Sequence, residues 1–221
     1  MPDDSDITIN VNQDAHINSY QQEGGVLNPD NGFTFTVNET FEALDNSQFN
    51  ITVGELLRVG EDVIVDNSSS LDPGSGLSLE LFGSGEQNLS PNISEMDTLI
   101  ASGGGRKNLQ DDLTVTNGLE MQDGNIHTNG YLLTLGYGTA AGEGGRVEHI
   151  SGSVIGSFRR WIETVGETYL FPIGNEDPDD NSTLYHRPAF LDFSDNAPDD
   201  GGTVTLEFIQ QNPGYDGLPL A

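Results

Sequence analysis

The stretch DGNIHTNGYLLTLG, residues 123–136, joins one apolar residue, a polar turn and a short alternating strand. Ile126 precedes the turn, the turn ends at a glycine, and Tyr131, Leu133 and Leu135 then recur at every second position. This spacing places the three side chains on one face of a β-strand. The stretch therefore predicts a strand with a single apolar face that must be covered.

Two earlier stretches share this pattern, namely GGVLNPDNGFTFTV (24–37) and SSSLDPGSGLSLEL (68–81). The three copies begin at Gly24, Ser68 and Asp123, so the second interval is wider than the first. The wider interval predicts an insertion around PNISEMDTLIASGGGRK (91–107).

Short strands with one apolar face are not stable as isolated pairs, but they are stable when successive turns stack and bury that face. A period of about 44 residues fits two turns of about 22 residues each, with Gly, Asn and Asp at the corners. The repeat therefore predicts a β-solenoid of the parallel β-helix kind over 1–147, in which Ile126, Leu133 and Leu135 stack on neighbouring turns. Hairpin dipeptides such as Asn117-Gly118 also suit an ordinary β-sandwich, and that alternative stays open.

The composition predicts an all-β chain. Gly, Asn, Asp, Ser and Thr are dense between the apolar runs, and these residues favour turns. The one helix candidate is ETFEALDNS (39–47), which a loop would explain equally well.

After residue 147 the strands become longer and more aromatic, and acidic loops rich in Pro and Asp separate them. This change predicts a β-sandwich-like domain over 148–221.

The second half of the chain also carries an ordered set of sequence words. The run DDLTVTNGLEMQDGNIHTNGYLLTLG (111–136) leads into ISGSVIGSFRRW (150–161), FPIGN (171–175), HRPAFL (186–191) and VTLEFI (204–209). Over about 105–220 this order resembles a module of large surface and secreted proteins of the Bacteroidetes group, which use the type IX secretion route. The resemblance implies a scaffold, stalk or adhesion segment of a longer exported protein, whose leader and sorting tail lie outside this chain. It implies no catalytic residues.

The chain is strongly acidic, with 36 acids against 7 bases and a net charge of −29. Such a field repels nucleic acid and anionic membranes, so neither is expected as a direct partner. The acidity has three interpretations, namely solubility of a secreted protein, adaptation to high salt, and calcium binding. The chain has no cysteine, which excludes disulfides and cysteine-ligated zinc, and it has no apolar run long enough to cross a membrane.

The loop DPDDNS (177–182) is the candidate calcium site. Asp177, Asp179 and Asn181 alternate as at the start of a calcium loop, and Asp180 could add a fourth oxygen ligand. The Gly and Glu that an EF-hand needs at its sixth and twelfth positions are missing, which excludes that motif. A looser calcium site and a solvated acidic loop both remain open.

Two further stretches could bind ligands. In GGGRK (103–107), Arg106 and the single lysine, Lys107, fit an anion-binding nest or a flexible loop. Arg159, Arg160 and Arg187 lie near Trp161, Phe171 and Tyr185 in sequence, which fits a sugar site or a packed strand face. The four histidines show no zinc-ligand spacing.

Together these observations predict a non-enzymatic structural or adhesive scaffold that works outside the cell or at its surface. The expected partners are other copies of the chain or other cell-surface proteins, with glycans as a further candidate. The alternative is a calcium- or carbohydrate-binding module of a larger secreted enzyme or adhesin.

Overall fold

A computed structural model describes residues 8–11, 13–29, 32–50, 55–71, 76–177 and 184–209. Within these ranges the chain contains β-strands and no helix, so no helix that could cross a membrane is present there either. The strands, in chain order, are β1 (Thr8–Val11), β2 (Ala15–Ile17), β3 (Tyr20–Glu23), β4 (Val26–Pro29), β5 (Thr34–Val37), β6 (Phe41–Leu44), β7 (Gln48–Phe49), β8 (Leu56–Val59), β9 (Val63–Val65), β10 (Ser70–Leu71), β11 (Ser78–Leu81), β12 (Gln87–Leu89), β13 (Glu95–Ala101), β14 (Arg106–Leu109), β15 (Leu113–Met121), β16 (Asn125–Leu135), β17 (Arg146–His149), β18 (Val154–Ile162), β19 (Thr168–Phe171), β20 (Ile173–Glu176), β21 (Leu184–His186), β22 (Ala189–Asp192) and β23 (Gly202–Leu206).

The strands form the three sides of a solenoid, and neighbouring turns pair in parallel on every side. Side 1 contains β2, β5, β8, β11, the second half of β13, the second half of β15, and β17. Side 2 contains β3, β6, β9, β12, β14, and then the first residues of β16, β18 and β20. Side 3 contains β1, β4, β7 and β10, and then the remaining parts of β13, β15, β16 and β18. The four longest strands therefore bend over a corner and belong to two sides each.

The stack has about seven turns, and its register confirms the predicted turn length. On side 1, Leu57 pairs with Phe35 and Leu79 pairs with Leu57. These are the pairings that a turn of about 22 residues requires. Leu99 and Leu119 continue the same column over slightly shorter turns. The interval between the first two copies therefore covers two turns, as predicted.

The inward side chains form continuous apolar columns that make up the core. Leu133 stacks between Leu113 and Phe158, and Leu135 stacks on Val115, which confirms the prediction for these two leucines. All five of these residues are buried. Ile126 pairs with an equivalent apolar residue, Val154, on one side only.

Two local predictions are wrong. Residues 91–107 contain no insertion, because β13 and the start of β14 occupy regular positions on the stack. The third repeat copy instead lies one side further round the solenoid, with its strand on side 3 rather than side 1. The 39–47 stretch forms neither a helix nor a loop throughout, because Phe41–Leu44 is strand β6 with Phe41 and Ala43 pointing inward.

The prediction of a β-sandwich-like domain over 148–221 is not confirmed. β18 and β20 extend the parallel stack past residue 147. The strands that follow β20 are three to five residues long and reverse direction, since β23 pairs antiparallel with β18, β22 with β19, and β21 with β20. The change in composition after residue 147 therefore precedes a change from parallel to antiparallel pairing.

The corner between sides 1 and 2 is built on glycines that lie against the backbone of the preceding turn. A Cβ atom at Gly60 would overlap the carbonyl of Asn38, one at Gly83 the carbonyl of Gly60, and one at Gly103 the carbonyl of Phe82. Gly103 also has a positive φ of 71°, which disfavours any other residue. Gly104 has almost the same φ, 72°, but open space around its Cβ position.

This pair separates backbone strain from close packing. We expect Gly104→Ala to lower the free energy of unfolding by about 1–2 kcal/mol, the cost of the left-handed conformation. Gly103→Ala should cost about 1–3 kcal/mol more, because its methyl group must displace the Phe82 backbone. Urea denaturation of both variants measures the difference. Equal destabilisation would show that the corners are not packed this closely in solution.

Candidate functional site

A column of polar side chains runs along the outer surface of side 2. Asp62, Asn88, Asn108 and His127 occupy equivalent positions on four successive turns. Asn88 donates from Nδ2 to Asp62 Oδ1 (3.1 Å), and Asn108 donates from Nδ2 to Asn88 Oδ1 (3.3 Å). In-register stacking thus joins Asp62, Asn88 and Asn108, which are far apart in the sequence, into one hydrogen-bonded ladder, and His127 is the next residue in the column.

A charged cluster closes this column at His127. Arg106 Nη2 lies 3.0 Å from His127 Nδ1 and donates to Glu176 Oε2 at 3.1 Å. Glu176 comes from the end of β20, and its Oε1 lies 3.6 Å from His127 Nε2. The cluster therefore joins two turns of the solenoid to a strand that lies 70 residues further along the chain than Arg106.

A second contact fixes the same C-terminal segment. Ser153 Oγ lies 2.7 Å from Nδ1 of His186, which is on β21. A serine beside a histidine is the arrangement that activates a nucleophile, but Ser153 is only 1% exposed. In this structure the contact links β21 to the corner between sides 1 and 2.

An open groove of about 600 Å³ runs along the same corner on earlier turns of the solenoid. Phe82 lines it together with the carboxylates of Glu61, Asp62 and Glu86. A second groove of about 350 Å³ shares Asp62 and continues along the column over Ile64. Two of the carboxylates already accept hydrogen bonds from the asparagine ladder, Asp62 from Asn88 and Glu86 from Asn108.

The predicted calcium site falls mostly outside the described residues. Asp179, Asp180 and Asn181 belong to that part of the chain, and Asp177 is described. Asp177 Oδ2 accepts a hydrogen bond from the Tyr185 hydroxyl at 2.9 Å. Elsewhere in the described ranges, no group of three or more His, Asp or Glu side chains is arranged to hold a metal ion. Calcium binding by these four residues stays a prediction.

The GGGRK stretch forms neither an anion-binding nest nor a flexible loop, because Arg106 and Lys107 begin strand β14. Arg106 is held by Glu176, as described above. Lys107 points into the solenoid, is 1% exposed, and donates to the Gly83 carbonyl and to Gln87 Oε1, the latter at 2.7 Å. Gln87 in turn donates to the Val59 carbonyl at 3.0 Å. The single lysine is thus part of an internal polar pair.

Arg160 is part of a packed strand face, which is one of the two arrangements that the sequence suggested. It is 5% exposed and donates to the backbone carbonyls of Leu170 and Gly145, both at 2.9 Å. Its guanidinium lies 5.1 Å from the centre of the Tyr169 ring and 6.0 Å from that of Phe171. Arg160 therefore closes the end of the core.

Sequence reasoning misses the cluster of Arg106, His127 and Glu176. Arg106 pairs with Asn125 on the next turn, and the repeat spacing is the signal that could have brought these two segments together. However, the sequence pattern aligns the third repeat copy one side out of step, so it does not place Arg106 and His127 on adjacent turns.

No protein-family model, no curated protein sequence and no solved structure matches the chain. The resemblance to modules of type IX-secreted proteins therefore stays a prediction.

The internal lysine yields a test. Lys107→Met should lower the free energy of unfolding by about 1–3 kcal/mol at pH 7, because the Gly83 carbonyl and Gln87 Oε1 lose their buried donor. Guanidinium denaturation measures this loss. Arg146→Met is the matched control, and because its side chain is exposed it should cost less than about 1 kcal/mol. Equal effects of the two variants would contradict the internal role.

The same variant should remove a pH effect. Burial lowers the pKa of Lys107 from its ordinary value of 10.5 to about 8. Between these values the unfolded chain binds more protons than the folded chain, so this group makes stability rise with pH over that interval. Lys107→Met should lack that rise, and Arg146→Met should keep it.

Proposed function

We propose that the chain is a structural or adhesive scaffold segment of a protein that works outside the cell or at its surface, without a catalytic role. The parallel stack of about seven turns is the observation that carries the proposal. At about 4.8 Å per turn it spans roughly 33 Å and presents equivalent side chains at regular intervals along each side. A rigid element of this kind suits spacing and display.

The acidic surface fits an environment in which dissolved salt screens the repulsion between its carboxylates. Like charges occupy equivalent positions on adjacent turns: Glu120 and Glu148 do so on side 1, where Arg146 bridges them, and 7 bases cannot bridge 36 acids in this way. Directly opposed like charges destabilise a sheet, and salt screens their repulsion. The resemblance to exported modules agrees with this environment.

Thermal unfolding in a salt series tests the proposal against its alternative. We expect the melting temperature to rise steadily from 0.02 to 2 M sodium chloride, because screening relieves repulsion within the folded state. Calcium at 5 mM, compared with magnesium at equal ionic strength, should add nothing further.

A calcium-specific rise would contradict the scaffold proposal and favour the calcium-binding module, since a ligand stabilises by RT ln(1 + [L]/Kd). Asp177→Asn and Asp179→Asn would then be the first variants to make. Micromolar binding to a panel of neutral and acidic glycans would likewise favour the carbohydrate-binding module.

Association with other copies is the second part of the proposal, and β3, which pairs only with β6 among the described strands, supplies the test. The Tyr20 and Gly24 amides donate into the stack, to the carbonyls of Thr40 and Leu44. Because amides alternate in direction along a parallel strand, the amide of Gln21 points away from the stack. An outward row of such groups is a template for another strand.

Sedimentation velocity between 1 and 100 μM in 1 M sodium chloride measures this association. We expect the weight-average sedimentation coefficient to rise with concentration, and Gln21→Pro to abolish the rise, because proline removes the outward donor while the inward bonds of β3 remain. Gln21→Thr is the control and should associate normally. A monomer at all concentrations would contradict self-association and leave the scaffold role to other partners.

A further inference from the structure

The hairpin formed by β20 and β21 lies across the end of side 2 and is attached to the stack by few backbone bonds. β20 pairs with β18 only through Ile173 and Gly174, and then β21 folds back along β20. From Asn175 onward the hairpin is held over side 2 by side chains.

One of these side-chain contacts is the cluster of Arg106, His127 and Glu176. His127 points outward from side 2, yet it is only 3% exposed. At the equivalent positions on earlier turns, Asn108 is also buried (5% exposed), whereas Asn88 and Asp62 are half-buried. Glu176 of the hairpin lies 3.6 Å from Nε2 of His127, so the hairpin is part of what covers the ring.

The geometry fixes the protonation state of the covered histidine. A guanidinium can only donate, so Nδ1 of His127 must accept from Arg106, and the ring proton is on Nε2. Nε2 has no hydrogen-bond partner within the described residues. A second proton would occupy Nδ1, directly against the Arg106 guanidinium. Burial and the charge of Arg106 accordingly lower the pKa of His127 to about 4.

The other charged and titratable groups around the hairpin are engaged elsewhere. From β21, His186 contacts Ser153 Oγ and Tyr185 donates to Asp177. From β14, Arg106 faces His127, whereas Lys107 points into the core. Glu176 is the acid that β20 brings to the cluster, and it is paired with Arg106. Protonation of His127 is therefore opposed by Arg106 at Nδ1, and at Nε2 the nearest carboxylate oxygen, Glu176 Oε1 at 3.6 Å, belongs to the acid that is already paired with Arg106.

We propose that the β20–β21 hairpin is an acid-released latch, in which protonation of His127 detaches the hairpin from side 2 of the solenoid. Detachment uncovers the end of the polar column at His127 and frees the edge of β18 at Val154 and Ile155, with which β20 pairs in the closed state. The solenoid turns before β16 stay folded. The device is independent of the scaffold role, because it concerns only the end of the stack.

Hydrogen exchange of backbone amides, followed by NMR and corrected for the intrinsic effect of pH, tests the latch. Exposed His127 regains its ordinary pKa of 6.5, whereas the covered ring has a pKa near 4. The open state thus binds more protons, and opening should become about twenty-fold more favourable between pH 7 and pH 5. Most carboxylates remain ionised over this interval.

We expect protection of the Ile173–Glu176 and Leu184–His186 amides to fall about twenty-fold, while protection of β11 changes less than threefold. Unchanged hairpin protection, or an equal fall in both regions, would overturn the proposal.

A matched pair of variants assigns the effect to one histidine. His127→Gln cannot take up a proton, so its hairpin protection should be independent of pH between 7 and 5. His149→Gln replaces an exposed histidine and should keep the full pH effect. Persistence of the pH effect in His127→Gln would refute the latch. In the unaltered protein, a His127 pKa at or above 6.5 by NMR titration would refute it without any variant.

Discussion

In-register parallel pairing is the constraint on which the rest of the structure depends. Because each turn is hydrogen-bonded to the one before, equivalent residues are held about 4.8 Å apart and the corners cannot spread. This explains why Gly103 lies directly against the Phe82 carbonyl.

The same pairing also explains the buried lysine, Lys107. The corner that joins β11 to β12 is longer than the corner that joins β8 to β9 on the preceding turn. Lys107 donates to the Gly83 carbonyl of the wider corner, and Gln87 donates to the Val59 carbonyl at the shorter corner before it.

The same constraint determines how the acidic surface is arranged. Register places Arg58 beside Glu80, where Nε and Oε2 are 2.5 Å apart. It places Glu120 beside Glu148, and Arg146 spans both carboxylates at 3.6 and 3.2 Å. With 7 bases against 36 acids, most acids cannot have such a neighbour. The repulsion between acids therefore depends on which residues share a column, as well as on the total charge. Salt at about 1 M screens these exposed charges, because its Debye length of about 3 Å is shorter than the spacing of about 4.8 Å between adjacent turns.

The sequence predicts which side chains face the interior of the solenoid, but it does not predict the places where the chain departs from the repeat. Alternation identifies inward residues such as Leu79 and Leu133, because a two-residue period needs no knowledge of the partner strand. The spacing of the first two repeat copies reveals the turn length for the same reason.

Local propensity fails at Phe41–Leu44, where stacking on β3 and β9 overrides a helix-compatible composition. The cluster of Arg106, His127 and Glu176 could not be predicted, because β20 reaches side 2 only at the point where the pairing reverses direction. Register within the stack was predictable, and the path of the chain beyond it was not.

The reversal of direction at the C-terminal end has a consequence for assembly. Within the described residues, β23 covers β18 in antiparallel pairing, which cannot continue the parallel register. The inner column also ends there, because Arg160 follows Leu135 and its guanidinium is bound to two carbonyls and two rings. The opposite end of the described stack keeps parallel strands β1, β2 and β3 at its edge. Sides 2 and 3 therefore end in strands that cannot extend the parallel register, whereas on side 1 β17 pairs only with β15 among the described residues. If copies associate through β3, two identical edges meet, which is the isologous arrangement of a closed dimer.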